Sequence, residues 1–180
     1  LDGFSHVEVV FVFDKVPLSM RAQNSLSMMV ANDGLTLERL AELKLSTRSL
    51  LADRTLPDLL EAAKDDPDPA MQAAVRLLAI WDHDYTRDSR AGLLFEEWAR
   101  VFAGPAFTGV ARYAVPFDPA RATTTPSGIK DRAEAVSMLR DAIQTTRRKY
   151  GALDRPFGEV SRFRLDGVDL PGDGHIGGLG

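Results

Sequence analysis

Cysteine is absent from the 180 residues of this chain. Without thiols the protein cannot form disulfide bonds, and it cannot use a thiolate as a nucleophile or as a metal ligand. The absence says little about the cellular compartment, because a chain without cysteine is compatible with oxidising and reducing surroundings alike. The sequence therefore excludes disulfide-stabilised folds and cysteine-dependent catalysis.

The chain also lacks a long apolar run. A membrane-spanning helix needs roughly 18–20 consecutive apolar residues, and the longest candidate, residues 7–13, is short and contains Glu8. This segment has neither a basic flank nor a small-residue cleavage site, so it is not typical of a signal peptide. We therefore expect no membrane span.

A strong excess of one charge is missing as well, since the formal net charge is −4. This balance argues against nucleic acid as a partner. The one basic cluster, residues 147–149, is expected to be a solvated helix end, where positive charge favours the helix dipole.

Motifs for metals and cofactors are not apparent. His83 lies between Asp82 and Asp84, but adjacent loop residues seldom converge on one ion, and no second ligand cluster accompanies them. His6 and His175 have no carboxylate or nucleophile at a meaningful spacing. Residues 172–180 are rich in glycine but do not join a strand to a helix, so they predict a loop instead of a phosphate cradle. We expect no metal and no cofactor.

Helical periodicity dominates the sequence that is present. Thr36 is a suitable N-cap for a helix that Pro57, which lacks an amide hydrogen, should end or kink. The buried face predicted for this helix consists of leucines at helical spacing: Leu37, Leu40, Leu43, Leu50 and Leu51. Further helices are predicted by the pair Asp68–Pro69 at a start, by Asp131 as a cap and by Gly151 as a left-handed stop.

Strand signals are confined to short segments. Residues 7–13, 110–115 and 159–165 are rich in β-forming residues, and Asp166–Gly167 predicts a hairpin turn. Trp81, Phe95 and Trp98 lie at helical spacing, which favours a place in the core, although they could also line an apolar acyl pocket. The predicted fold class is mainly α, with a minor β component near both ends.

Four stretches of the chain share their order and spacing with a known family. They are residues 18–26 (LSMRAQNSL), the helical pair 45–59 (LSTR, LADR, LPDL), the corner 81–98 (WDHDYTRDSRAGLLFEEW), and the segments 124–128, 158–162 and 169–174 (TTPSG, GEVSR, DLPGDG). In these stretches the chain resembles the large catalytic chain of the penicillin acylase family, the N-terminal-nucleophile amide hydrolases with an αββα core. The bacterial acylases that act on acyl-homoserine lactones, penicillins or acylated peptides are the most similar subset.

The resemblance implies a mechanism. In that family an N-terminal Ser attacks an amide carbonyl, with its own α-amine as general base, and a backbone amide and an Asn side chain stabilise the oxyanion. Neither the Ser nor the Asn has a matching position here, so no catalytic residue is predicted in this chain. Arg21 matches the family arginine that orients the oxyanion Asn and helps bind polar parts of the substrate.

The resemblance also implies an organisation. Residues 1–17 would be an extended lead-in of uncertain placement, 18–151 a helical middle domain, and 152–180 a β and loop segment that returns toward the catalytic core. The chain begins with Leu1 and ends in a glycine-rich stretch, so we expect both termini to be cut sites.

The predicted parent is a periplasmic or secreted amide hydrolase of an acylated small molecule. Its partners would be the rest of its catalytic chain and the smaller chain from the same precursor. The alternative is a non-catalytic helical binding module.

Overall fold

The computed structural model describes residues 18–31, 34–104 and 112–175. This part of the chain is mainly α-helical, as predicted. It contains seven α-helices, one 3-10 turn and a two-stranded antiparallel sheet: α1 (Met20–Val30), α2 (Leu37–Lys44), α3 (Leu50–Ala63), α4 (Pro69–Ala79), α5 (Gly92–Ala103), the 3-10 turn Pro119–Arg121, α6 (Arg132–Tyr150), α7 (Phe157–Val160), β1 (Arg162–Leu165) and β2 (Val168–Pro171).

The helices α3, α4 and α5 all pack against α6, and α5 contributes more buried apolar side chains to the core than any other helix. Phe95 and Trp98 of α5 are fully buried. The Trp98 indole donates a hydrogen bond to the backbone carbonyl of Ala135 at 3.1 Å. The prediction that these two aromatic side chains belong to the core is confirmed.

Local capping signals account for several helix ends. Thr36, Asp68 and Asp131 each accept a backbone N–H in the first turn of α2, α4 and α6. Gly151 ends α6 in the left-handed region at φ 82°, a conformation that costs glycine little because it has no Cβ.

The predicted helix from Thr36 past Leu51 is wrong, because α2 ends at Lys44 and α3 begins at Leu50 with Ser49 as its N-cap. The backbone between them pairs with a distant loop: Ser49 N donates to His83 O at 2.9 Å. Of the predicted stripe, Leu37 and Leu40 in α2 are exposed, and only Leu51, in α3, is buried. Pro57 lies inside α3 without ending it.

The β component near the C-terminal end is a hairpin. Asp166 and Gly167 form its turn with positive φ, as predicted, and Arg162 pairs with Pro171 at its open end. The strand predicted from Glu159 starts later, because residues up to Val160 form α7. Residues 7–13 lie outside the described residues, as do residues 110 and 111 of the strand predicted at 110–115. The rest of that prediction is wrong, because residues 112–114 form no strand and Val115 forms only a single bridge to Ser127.

Within the described ranges, no helix is both long enough and apolar enough to cross a bilayer. The division of the chain at residues 17 and 151 stays a prediction.

Candidate functional site

Arg21, the one site residue predicted from the sequence, lies in the first turn of α1. This helix begins at Met20 because the Ser19 side chain accepts the Ala22 backbone N–H at 3.2 Å. The Arg21 side chain points to the other end of the chain, where its Nη2 donates to the backbone carbonyl of His175 at 2.8 Å. The fold therefore gives the guanidinium a defined partner on a distant segment.

Arg21 lies at the edge of a polar pocket of about 270 Å³. Its walls come from the end of α2 and the following loop, from the loop before α5, and from the segment after β2. The lining residues are Arg21, Lys44, Leu45, Ser46, Thr47, Arg48, Tyr85, Asp173, Gly174 and His175.

The loop after α2 forms one wall, and an ion-pair network fixes it. Arg48 contacts the Asp53 carboxylate through Nη2 at 2.7 Å and Nε at 3.1 Å. His83 Nδ1 lies 2.6 Å from the same carboxylate, and Thr47 Oγ1 donates to Asp84 at 3.0 Å. His83 and Arg48 thus contact the same Asp53 carboxylate, and this structural role of His83 connects its own loop to the loop after α2.

Tyr85 forms the floor of the pocket. It is 1% exposed, and its hydroxyl has no hydrogen-bond partner among the described residues. Burial, followed by the nearby Glu96 charge, raises the pKa of Tyr85 well above its ordinary value. The side chain is therefore a neutral phenol at physiological pH and cannot serve as a base in this state.

The segment of residues 172–175, which we call the C-terminal strap, closes the pocket. Gly172 N donates to Ser161 O at 2.8 Å and Gly174 N donates to Tyr85 O at 2.7 Å. The Asp173 carboxylate accepts the backbone N–H of Arg87 at 2.6 Å and contacts the Arg87 guanidinium. The strap thus connects α1, the loop before α5 and the hairpin.

The side chain of His175, the last residue of the strap, lies against Glu96 of α5. Its Nε2 is 3.3 Å from Oε1 of Glu96, and both side chains are largely buried. Burial would raise the pKa of Glu96, but hydrogen bonds from His175 and Arg100 outweigh burial and lower it. No sequence spacing could indicate this pair, because Glu96 lies far from His175 along the chain.

The strap is the part of the site that sequence reasoning missed. Its signals were the resemblance of residues 169–174 to the family and the alternation of Asp173 and His175 with Gly172 and Gly174, neither of which shows what the two side chains contact. Gly174 has φ 80°, and a Cβ on Gly172 would lie 3.1 Å from the Ser161 hydroxyl. The glycines therefore permit the close passage that brings the two side chains into the site.

The aromatic corner does not form an acyl pocket as a group, since Phe95 and Trp98 are core residues. Trp81 is mostly buried but borders a separate pocket of about 330 Å³, together with Ile80 and Ser89. Its indole donates to Asp84 O at 3.0 Å, so its position is fixed by the same loop that supports the polar pocket.

In its chemistry the polar pocket is suited to orientation. Among the described residues, the hydroxyl groups of Ser46 and Thr47 beside Arg48 have partners other than histidine, so neither is arranged as a histidine-activated nucleophile. Thr47 donates to Asp84, and Ser46 accepts the Arg48 backbone N–H. Within the same residues no group of three or more His, Cys, Asp or Glu side chains is placed to hold a metal ion. The pocket therefore offers an anchored guanidinium, which can direct several donors while remaining charged.

The chain matches a known protein family. The model of the penicillin amidase family matches residues 4–176 of this chain. The match includes Arg21, the loop after α2, the corner before α5 and the whole C-terminal strap, so every wall of the polar pocket lies within it.

Proposed function

Because this chain belongs to the penicillin amidase family, we propose that it is the helical middle part of the catalytic chain of an amide hydrolase. The substrate would be an acylated small molecule, namely an acyl-homoserine lactone, a penicillin or an acylated peptide. The family match over residues 4–176 is the observation that carries the proposal. The parent would be periplasmic or secreted.

In this proposal the reacting groups come from polypeptide other than these residues. An N-terminal Ser would attack the amide carbonyl with its α-amine, whose pKa is near 8 in model compounds, as the base. An Asn of the same catalytic chain would bind the oxyanion. Arg21 would orient this Asn and the polar part of the substrate, and its bond to His175 O at 2.8 Å supports the role because it fixes the guanidinium beside a pocket.

Exposed apolar surface supports the proposed partners, which are the rest of the catalytic chain and the smaller chain of the precursor. The helix α2 has no buried residue, and Leu37 is 78% exposed. On the hairpin, Phe163 and Leu165 are 55% and 58% exposed on one face. Large exposed apolar patches are typical of surfaces that contact further protein.

Incubation with a chromogenic acyl amide tests where the nucleophile lies. The isolated chain should give no turnover, whereas the full processed enzyme should hydrolyse the substrate. Turnover by the isolated chain at the rate of the full enzyme would contradict the proposal, because it would place the nucleophile within these residues.

The role of Arg21 is tested in the full enzyme by Arg21→Ala. We expect kcat/KM to fall by roughly 10²-fold, the typical loss when a group that positions or stabilises reacting atoms is removed. Arg76→Ala is the matched control, since Arg76 is an exposed helical arginine in the last turn of α4. Equal activity of the two variants would show that Arg21 is an ordinary surface residue.

A further inference from the structure

Arg21 is held by a main-chain atom, the carbonyl of His175. The position of this carbonyl depends on the path of the backbone through the C-terminal strap. Contacts that fix the strap therefore help to set the direction of the Arg21 guanidinium.

The main side-chain contact that fixes the strap is the pair Arg87–Asp173. Nε of Arg87 lies 3.2 and 3.1 Å from the two oxygens of the Asp173 carboxylate, and Nη2 also donates to it. The Arg87 backbone N–H donates to the same carboxylate at 2.6 Å. Hydrogen bonds from Arg87 lower the pKa of Asp173, so the carboxylate is charged at neutral pH and the bonds are charge-assisted.

Arg87 is itself held from the other side. Its carbonyl accepts the Gly158 N–H at 2.8 Å, and a Cβ on Gly158 would lie 2.7 Å from the Arg87 Cβ. Only glycine allows this approach without a shift of the neighbouring backbone. The Arg87 backbone is thus a fixed point to which Asp173 attaches the strap.

The geometry points to Asp173 and Arg87 as positioning residues that act on the reaction through Arg21, an inference that rests on the proposed function. Their bonds hold the strap so that the His175 carbonyl meets the Arg21 guanidinium at the edge of the polar pocket. Neither residue contacts the reacting atoms in this role. If the pair is broken, the strap shifts and Arg21 keeps its charge but loses its direction.

The test uses the full processed enzyme and a chromogenic acyl amide. Asp173→Asn keeps the shape of the side chain and an oxygen acceptor but removes the charge, and Arg87→Lys keeps the charge but removes the fork. The matched control is Asp169→Asn, because Asp169 pairs with Arg162 at 2.8 Å on the neighbouring hairpin and is similarly exposed. Each variant is made with Arg21 present and in an Arg21→Ala background.

We expect Asp173→Asn and Arg87→Lys to lower kcat by roughly tenfold or more with Arg21 present, the scale at which misplaced active-site groups reduce rates. In the Arg21→Ala background the same changes should lower kcat by less than about twofold, because residues that act through one another are not additive. The control should leave kcat unchanged in both backgrounds. All variants should share the thermal midpoint of the control within a few degrees.

The outcomes separate the two ideas. If Arg21→Ala alone leaves activity intact, the proposed role of Arg21 fails and the positioning inference fails with it. If Arg21→Ala lowers activity and the Asp173 and Arg87 variants are neutral, or reduce kcat equally in both backgrounds, only the positioning inference is overturned. Failure of both variants to yield a folded, processed enzyme would also overturn it, since the pair would then stabilise the fold as a whole.

Discussion

Replacement of Trp98 by alanine should destabilise the chain more than any change on its surface. Trp98 is fully buried in α5, and its ring stacks on Phe102 with 4.6 Å between centroids and lies 5.5 Å from Phe95. Its indole N–H also joins α5 to α6 through Ala135. The substitution therefore removes core volume, aromatic contacts and an interhelical hydrogen bond at one position.

The expected cost follows from these losses. Truncation of a buried Trp to Ala lowers the free energy of unfolding by about 3–5 kcal/mol. Domains are stable by only about 5–15 kcal/mol, so the loss is a large share of the total. For a chain of this size about 1 kcal/mol corresponds to 2–4 °C, and the melting temperature should fall by roughly 6–20 °C.

Urea and thermal unfolding followed by circular dichroism measure the effect. Val101→Ala is the control on the same helix, since Val101 is 48% exposed and its truncation should cost under about 1 kcal/mol. Trp98→Phe should lie between the two, because it keeps a ring in the core but loses the bond to Ala135. If Trp98→Ala melts at the same temperature as the Val101→Ala control, the assignment of Trp98 to the core is refuted.

Two further changes test the buried carboxylate and a helix end. The pKa of Glu96 is lowered in the folded chain despite its burial, because His175 and Arg100 donate to it; the contribution of Glu96 to stability is therefore present above the unfolded pKa of about 4.5 and is lost as pH falls through the folded value. In thermal melts from about pH 6 to pH 3, the melting temperature of Glu96→Gln should therefore fall less than that of the wild type. Identical pH profiles of the two proteins would contradict this expectation. Gly151→Ala should lower the free energy of unfolding by about 1–2 kcal/mol through backbone strain alone, because Gly151 has φ 82° and a Cβ there would meet nothing within 4 Å. An unchanged urea midpoint would show that the end of α6 relaxes without cost.

Predictions succeeded for helix ends and turns, where the residues that indicate the feature are the same neighbouring residues that form it. Asp131 accepts the Glu134 N–H at 2.9 Å at the start of α6, and Gly151 ends that helix, as the sequence indicated. Asp166 and Gly167 form the predicted turn. Each depends on a side chain or a backbone preference within about one helical turn, which periodicity and composition can express.

Predictions failed where distant segments compete for the backbone. The leucine stripe from Leu37 to Leu51 has helical spacing throughout, yet Thr47 and Ser49 pair with the loop at residues 83–85, and these bonds replace a continuous helix. The exposure of Leu37 has a different cause. An amphipathic pattern predicts that a helix face is buried, but it does not indicate which surface packs against that face. Leucine spacing could not reveal either outcome.

The sequence by itself determined that the chain is mainly α-helical, where many of its helices start and stop, that Trp98 lies in the core, and which family the residues around Arg21 resemble. Only the tertiary structure decided that Arg21 meets the C-terminal strap, that Asp173 binds Arg87 and that His175 faces Glu96. The physical reason is range. Capping and periodicity act between residues that are neighbours along the chain, whereas the polar pocket is assembled from segments that meet only after the helices have packed against one another.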